Sequence, residues 1–181
     1  GYEIIKHSMI NYLYNKEKGY FRRGVSFENE QIAYDDTIDS SVYGLFEFGV
    51  FDANDEKVAL TMSKVKEWLW LKTEVGGIAR YYNDYFHQKS KELDKVPGNP
   101  WFICTLWYAK WLIRIAKDKE GLKEALKMIN WAADHALPTG IFPEQVHPNT
   151  GEPLSVSPLT WSHAEFVDAI TDYAEKLGKF K

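Results

Sequence analysis

Cysteine is almost absent from this sequence, since Cys104 is the one cysteine in 181 residues. An intrachain disulfide framework and a zinc site built from several cysteines are therefore excluded. Long apolar runs are lacking too. The longest charge-free apolar stretch runs from Trp101 to Ala109 and ends at Lys110, which is about half of what a bilayer-crossing helix needs. We expect no membrane-spanning helix.

Positive charge is not in excess, because 22 basic residues stand against 26 acidic ones and the net charge is -4. A nucleic-acid surface normally needs clustered Lys and Arg, so no nucleic-acid partner is expected. The opening Gly1-Tyr2-Glu3 has no basic segment followed by an apolar one, as a secretory signal would have. We expect a cytoplasmic protein, with secretion left open because a signal segment could precede Gly1.

The composition is otherwise that of a globular domain with many aromatic side chains. A hydrophobic fraction of 45% and a charged fraction of 27% predict one domain, residues 1–181. Aromatic residues make up 15%, from 7 Trp, 11 Tyr and 10 Phe. Large flat side chains in this number suit a ligand with flat apolar faces, although most of them are expected to fill the core.

Apolar spacing predicts six helices and shows no convincing strand alternation, which indicates an all-α fold. The predicted helices cover residues 3–14, 40–48, 55–72, 100–117, 120–136 and 160–177. Asp39 or Ser40 is expected to cap the second helix, because a short side-chain oxygen can accept an unpaired backbone N–H there. Pro100 is expected at the first position of the fourth helix, where its missing N–H costs no hydrogen bond.

The connections between these helices alternate in length. Helices two and three, and helices four and five, are joined by a few residues and should form antiparallel hairpins. The other three connections each exceed twenty residues, and loops this long usually carry function. Because up and down helices alternate, all three long loops must emerge at the same end of the bundle.

Charge divides the helices into two groups. The fourth helix is apolar on every face up to Lys110, and such a helix is buried on all sides. Helices two, four and six are expected to form an inner ring wrapped by helices one, three and five, although Glu165, Asp168 and Asp172 interrupt the sixth. A closed (α/α)6 toroid has twice as many helices, so these hairpins predict about half of such a barrel.

The third long loop contains Phe142-Pro143-Glu144-Gln145, in a segment rich in proline and glycine. A carboxylate held between apolar neighbours, on a backbone that prolines restrict, is what a general base requires. Taken alone, the motif more often marks an exposed loop glutamate than a general base.

Three segments together carry a resemblance to a known family. They are Glu144-Gln145 with Gly151-Glu152-Pro153-Leu154-Ser155 and Leu159-Thr160-Trp161-Ser162, then Arg80-Tyr81 with Asp84 and Gly98-Asn99-Pro100-Trp101, and more faintly Asp39-Ser40-Ser41. These motifs resemble the C-terminal half of the catalytic domain of glycoside hydrolase family 15, the inverting glucoamylases with related glucodextranases and trehalases. The resemblance implies an (α/α)6 barrel, an α-glucan or oligosaccharide substrate hydrolysed from its non-reducing end, and no cofactor or metal.

The resemblance also implies roles for individual residues. Glu144 matches the general base that activates water, and Ser155 matches the hydroxyl that hydrogen-bonds this base. Arg80, beside Tyr81, matches a residue that grips the non-reducing glucose, and Trp101 matches an aromatic residue that lines the sugar site. A guanidinium fork can bind neighbouring hydroxyls without losing its charge.

The remaining tryptophans have less defined expectations. Trp161 is expected either to line the sugar site or to pack in the core. The tryptophans inside predicted helices are expected to pack: Trp68, Trp70, Trp107, Trp111 and Trp131. Cys104, on the buried fourth helix, is expected to be a small core residue.

Two departures from the family pattern limit what the resemblance implies. A lysine-rich insertion at 89–95 and Asn83, where fungal members carry an acid, put the subsites beyond the first glucose in doubt. The general acid of the family lies far upstream of the base, before Gly1. Because inversion needs two carboxyls about 6.5–9.5 Å apart, we expect an inactive isolated chain that pairs with the missing half of the barrel or with itself.

Other interpretations remain open on the sequence alone. Asp35-Asp36-Thr37-Ile38-Asp39 spells the aspartate-rich pattern that binds magnesium in all-α prenyl-diphosphate enzymes, but it precedes a helix and has no second motif. The five histidines show no metal-ligand spacing. A non-catalytic helical-hairpin module that binds protein or carbohydrate is the alternative from another class, and trehalose or dextran is an alternative substrate.

Overall fold

The computed structural model describes residues 1–180 and has a helical framework. Its helices are α1 (Tyr2–Ser8, continued by a π-helical turn over Met9–Leu13), α2 (Gly44–Glu47, preceded by a 3-10 turn over Ser40–Tyr43), α3 (Glu56–Leu69), α4 (Phe102–Ile115), α5 (Leu122–Asp134) and α6 (Thr160–Lys179). All six lie where apolar spacing predicts them. The all-α class is confirmed.

The expectation that the chain has no strands is wrong, because three short antiparallel hairpins lie in the long loops. They pair β1 (Tyr14–Asn15) with β2 (Tyr20–Phe21), β3 (Gly24–Glu28) with β4 (Gln31–Asp35), and β5 (Gln145–Val146) with β6 (Pro153–Leu154). The second hairpin turns at Asn29 and Glu30, both with positive φ. Such turns usually carry Asn-Gly, and Glu30 in the place of glycine hid this hairpin from sequence patterns.

Side-chain caps start two of the helical segments. Asp39 accepts a hydrogen bond from the Ser41 backbone N–H at 2.8 Å, which confirms the predicted cap before α2. Asp55 accepts one from the Lys57 backbone N–H at 2.8 Å and starts α3 in the same way. Each carboxylate satisfies a backbone donor that the first turn leaves unpaired.

The start of α4 differs from the prediction that Pro100 is its first residue. Pro100 and Trp101 are extended, and the helix begins at Phe102. The Trp101 N–H donates to the carbonyl of Ile78 at 3.0 Å, and the Pro100 carbonyl accepts from Val146 at 3.2 Å. These bonds hold Pro100 and Trp101 in an extended, strand-like conformation, so neither residue can join the helix.

The core is centred on α4, which packs against both α5 and α6. Its residues from Phe102 to Trp111 are all buried, as expected of an inner helix. By contrast, Ser162 and Ala169 are the buried residues of α6, so the inner position predicted for this helix leaves most of it uncovered. None of the helices within residues 1–180 combines the length and the apolar character that a bilayer crossing requires.

The three long loops meet, as the alternation of helix direction predicts. Loop one lies between α1 and α2, loop two between α3 and α4, and loop three between α5 and α6. Loops one and two are joined where Ser40 N–H donates to the Arg80 carbonyl at 2.8 Å and Tyr82 N–H donates to the Ile38 carbonyl at 3.0 Å. Loop three joins the start of α4 through the bridge between Trp101 and Gln145. Residues from all three loops therefore lie at one end of the helices.

Candidate active site

Glu144 is held at the start of the β5–β6 hairpin by bonds of its backbone and its side chain. Its N–H donates to the Val156 carbonyl at 2.9 Å, and its own carbonyl accepts from Phe102 at 3.4 Å. Oε2 of the carboxylate accepts a hydrogen bond from Gln145 Nε2 at 3.1 Å. The residue is half-buried, and Oε1 accepts no hydrogen bond from residues 1–180. One carboxylate oxygen is thus fixed and the other is free to meet a ligand.

Two buried amides orient this carboxylate. Asn99 Nδ2 donates to Gln145 Oε1 at 2.9 Å and to the His87 carbonyl at 2.9 Å. Gln145 and Asn99 are 0% and 1% exposed, so their rotamers are fixed by packing as well as by hydrogen bonds. Sequence analysis assigned no role to either side chain. The sequence signal that could have found them is an amide side chain in each motif: Gln145 directly follows Glu144, and Asn99 lies two residues before Trp101.

Arg80 and Asp84 form a bidentate ion pair. Nε and Nη2 of Arg80 donate to Oδ2 and Oδ1 of Asp84 at 3.0 and 2.9 Å. Asp84 is buried. Burial opposes the charge of Arg80, but the hydrogen bonds and charge of Asp84 outweigh it, so the pKa of Arg80 is raised. The two bonds to Asp84 hold the Arg80 guanidinium in place. Nη1 donates to no group within residues 1–180, so one nitrogen is left to donate.

Trp101 lies beneath Arg80 and does not offer an open face. Its side chain is 4% exposed, the Arg80 guanidinium carbon lies 4.5 Å from the ring centroid, and the Phe86 ring lies 6.0 Å away. An open stacking surface for sugar, as the resemblance implies, is therefore not what the fold presents here. Its buried Nε1 has no hydrogen-bond partner within residues 1–180, and native proteins rarely leave such donors unpaired.

Tyr81 completes this group beside Arg80. It forms a backbone bridge with Asp39, and its ring centroid lies 4.9 Å from the Arg80 guanidinium and 5.1 Å from that of Arg23. Burial and the charge of Asp84 raise the pKa of Tyr81.

Ser155 lies on the same loop as Glu144 but does not hydrogen-bond it. Ser155 is exposed, with φ of 65°, and no bond from its hydroxyl to the Glu144 carboxylate is present within residues 1–180. The donor to Glu144 is the Gln145 side chain. The structure thus assigns to Gln145 the contact that sequence analysis expected from Ser155.

Trp161 belongs to a separate aromatic group between α4 and α6. It is 48% exposed, lies 5.6 Å from Trp107, and its Nε1 donates to Glu165 at 3.1 Å. Trp107 in turn stacks on Tyr43, with ring centroids 4.0 Å apart. The packing expected of Trp161 is met in part, through its contact with Trp107. A role for Trp161 in lining the sugar site stays a prediction.

Comparison with known proteins gives matches among glycoside hydrolases. Residues 122–171 match the family model described as Glycosyl hydrolases family 15. The chain is 32% identical over 175 residues to an uncharacterized glycosyl hydrolase of Methanocaldococcus jannaschii, covering 91% of this chain and 26% of that protein. It is also 32% identical over 148 residues to a glucoamylase of Clostridium sp., covering 79% of this chain and 20% of that relative. The resemblance to glycoside hydrolase family 15 is confirmed.

A solved structure extends the agreement to the fold. A bacterial glucoamylase complexed with acarbose matches 96% of this chain with a TM-score of 0.76 and 26% identity, and the match covers 28% of that chain. The predicted architecture, helical hairpins of an (α/α)6 barrel, is confirmed. The chain spans about a quarter of the length of the relatives it matches.

The tryptophans of the predicted helices pack as expected, with one exception. Trp107, Trp111 and Trp131 are buried, and Trp70 is half-buried. Trp68 is 46% exposed, so the prediction that it packs in the core is wrong. Its position on α3 faces outward beside loop two, where no other helix covers it. Cys104 is buried, and burial raises the pKa of its thiol well above the usual value.

The aspartate-rich stretch near α2 is occupied by protein contacts. Arg22 Nε donates to Asp36 at 2.8 Å, and Arg23 Nε donates to Asp35 at 2.6 Å, while Asp39 serves as a cap. These carboxylates are engaged separately and do not converge on one point. Within the described part of the chain, no group of three or more His, Cys, Asp or Glu side chains is arranged to hold a metal ion.

Proposed function

We propose that the complete protein is an inverting glycoside hydrolase that releases glucose from the non-reducing ends of α-linked glucans. The observation that carries the proposal is the Glu144 carboxylate, with Oε2 fixed by Gln145 at 3.1 Å and Oε1 unpaired within residues 1–180. Its family 15 relatives are named as a glycosyl hydrolase and a glucoamylase. The similarity to glycoside hydrolases and the positioned Glu144 carboxylate together support hydrolysis of a glycosidic bond.

In this mechanism Glu144 acts as the general base. Its free oxygen takes a proton from a water molecule while that water attacks the anomeric carbon from the face opposite the leaving group. The Asn99–Gln145 amides hold the other oxygen, so the carboxylate is aimed before substrate arrives. A second carboxyl group must protonate the leaving oxygen. We assign that acid to the part of the protein outside this chain.

Arg80 and Tyr81 supply the sugar-binding groups of the proposal. The bidentate contact with Asp84 leaves Nη1 of Arg80 to donate to a glucose hydroxyl, and Tyr81 adds a phenol beside it. Trp101 supports the guanidinium from below. Polar groups of this kind fix the orientation of a ligand.

Residues 1–181 form one domain that is the C-terminal part of a longer (α/α)6 barrel in this proposal. Apolar residues of α1 and α6, among them Ile4 and Val167, are exposed, and additional helices would cover them. The chain also spans only 26% of the glycosyl hydrolase relative and 28% of the solved glucoamylase.

The test of this function is Glu144→Gln in the complete protein. The substitution keeps the shape of the side chain but removes the proton acceptor, so kcat for maltose should fall by about 10²–10⁴ while KM changes little. Glu152→Gln is the matched control, because Glu152 is an exposed carboxylate on the same loop. If Glu144→Gln keeps the kcat of the unmodified protein, Glu144 is not the base.

A further inference from the structure

A cavity of about 450 Å³ opens between the first long loop, α3 and loop two. Its volume is in the range of small-molecule sites. Tyr20 and Ile38 are among its lining residues and are 8% and 7% exposed. The Tyr20 hydroxyl donates to the Asp36 carbonyl at 3.0 Å. The floor of the cavity is therefore rigid, and none of the residues that line it belongs to the group around Glu144 and Arg80.

Aromatic rings form one wall of this cavity. Trp68 on α3 is 46% exposed and meets the Tyr82 ring edge to face, with centroids 5.4 Å apart and an interplanar angle of 80°. The contact with Tyr82 restricts rotation of the indole, and close to half of the Trp68 side chain stays exposed. An exposed, braced tryptophan is a ready-made surface for the C–H face of a ring-shaped ligand.

The charges at the cavity are already neutralised by protein partners. Lys18 Nζ lies 2.9 Å from Asp36 Oδ2, and Lys64 Nζ lies 2.7 Å from Glu67 Oε2. An anionic ligand would have to compete with these carboxylates for each ammonium group. A neutral ligand with many hydroxyl groups can accept from the lysines and donate to the carboxylates without breaking either pair.

We propose that this cavity is a second carbohydrate-binding site, which holds a glucose unit of an α-glucan against Trp68 and Tyr82. It is built from residues that take no part in the proposed hydrolysis, so it binds chain without cutting it. The choice of glucan as the carbohydrate rests on the proposed function. The aromatic wall and the paired charges stand independently of it.

The experiment is a calorimetric titration of the complete protein with maltoheptaose, in a Glu144→Gln background that prevents hydrolysis. Two binding events are expected. Adding Trp68→Ala should remove one of them or weaken it by about tenfold or more, whereas Trp68→Phe, which keeps a flat ring, should retain it. Phe27→Ala is the control, because Phe27 is an exposed aromatic of the β3–β4 hairpin, outside this cavity. Thermal unfolding of each variant reports whether it is folded.

The outcomes separate this inference from the proposed function. If a folded Trp68→Ala variant binds maltoheptaose with unchanged stoichiometry and affinity, the second site does not exist. The proposed function would still stand in that case if the unmodified protein hydrolyses maltose. If maltoheptaose binds through Trp68 but the unmodified protein hydrolyses no α-glucan, the second site stands and the proposed function fails. In an active protein, Trp68→Ala should leave maltose hydrolysis unchanged.

Discussion

The ammonium group of Lys66 on α3 is stabilised by aromatic rings and destabilised by burial. Its Nζ lies 3.4 Å from the centroid of the Trp70 ring and 5.7 Å from that of Tyr108, and such ring faces attract cations. Burial acts the other way and prevails, since it lowers the pKa of Lys66 to about 8. Burial also raises the pKa of Tyr108 to about 12. The ammonium is therefore destabilised relative to the unfolded chain.

This balance predicts a pH-dependent gain from Lys66→Met. The folded pKa of about 8 lies below the ordinary lysine value of 10.5, so the unfolded chain binds more protons between these values. The Lys66 contribution to stability therefore rises with pH in this range. At pH 7 Lys66→Met should unfold at a higher temperature than the unmodified chain. The difference should shrink above pH 8 and vanish by about pH 10.5. A gain that is equal at pH 7 and pH 10.5 would refute the desolvation argument.

Single residues were predictable from sequence where the motif itself fixes the local geometry. The cap at Asp39 follows from one short side chain and one backbone donor. The covering of Trp101 by Arg80 and the exposure of Trp68 depend on how distant segments pack, and residue type does not encode that. Ser155 was expected to contact Glu144, but the adjacent Gln145, held by Asn99 from another loop, makes the bond.

At the scale of secondary-structure elements, Lys110 ties α4 to α2 and α6. Its Nζ donates to Glu47 Oε1 at 2.7 Å and to Asp168, and its side chain is 3% exposed. Burial opposes the charge, but the hydrogen bonds that Lys110 donates to Asp168 and Glu47 outweigh it and raise the pKa of Lys110. Arg114 also contacts Glu47, at 3.1 Å. One buried lysine thus connects three helices.

Lys110→Met should lower the free energy of unfolding by about 3 kcal/mol, because removing one member of a buried ion pair leaves uncompensated charge. We expect the low end of the usual range since Arg114 still pairs with Glu47 and Asp168 is partly exposed. Denaturant unfolding measures the change. The control is Lys123→Met, which removes a lysine whose pair with Glu120 is exposed and should change stability little. Equal effects of the two substitutions would contradict the role of Lys110.

Elements were predictable in proportion to their length and periodicity. The long helices α3, α4, α5 and α6 carry clear apolar spacing and lie where it predicts. The hairpins were missed because their strands are two to five residues long. No residue of β3 or β4 is buried, so no alternation of buried and exposed residues marks these two strands.

At the scale of the whole molecule, the apolar surfaces of α1 and α6 support the proposal of a missing barrel half. Ile4, Ile5 and Val167 are 72%, 61% and 63% exposed, and large exposed apolar patches rarely stay bare. The isolated 181 residues should therefore self-associate in sedimentation. They should not hydrolyse maltose if, as we propose, the general acid lies outside these residues. Hydrolysis at the rate of the complete protein would contradict the assignment of the acid. A stable monomer would contradict the expected self-association through these apolar surfaces.

The central claim, that Glu144 activates water for a single displacement, is tested most directly by the anomer of the first product. Proton NMR of the complete protein acting on an α-linked oligosaccharide distinguishes β-glucose from α-glucose before the two interconvert. A base that activates water inverts the anomeric centre, so β-glucose should appear first. If α-glucose appears first, the reaction retains configuration, and neither the role of Glu144 as general base nor the proposed function can stand.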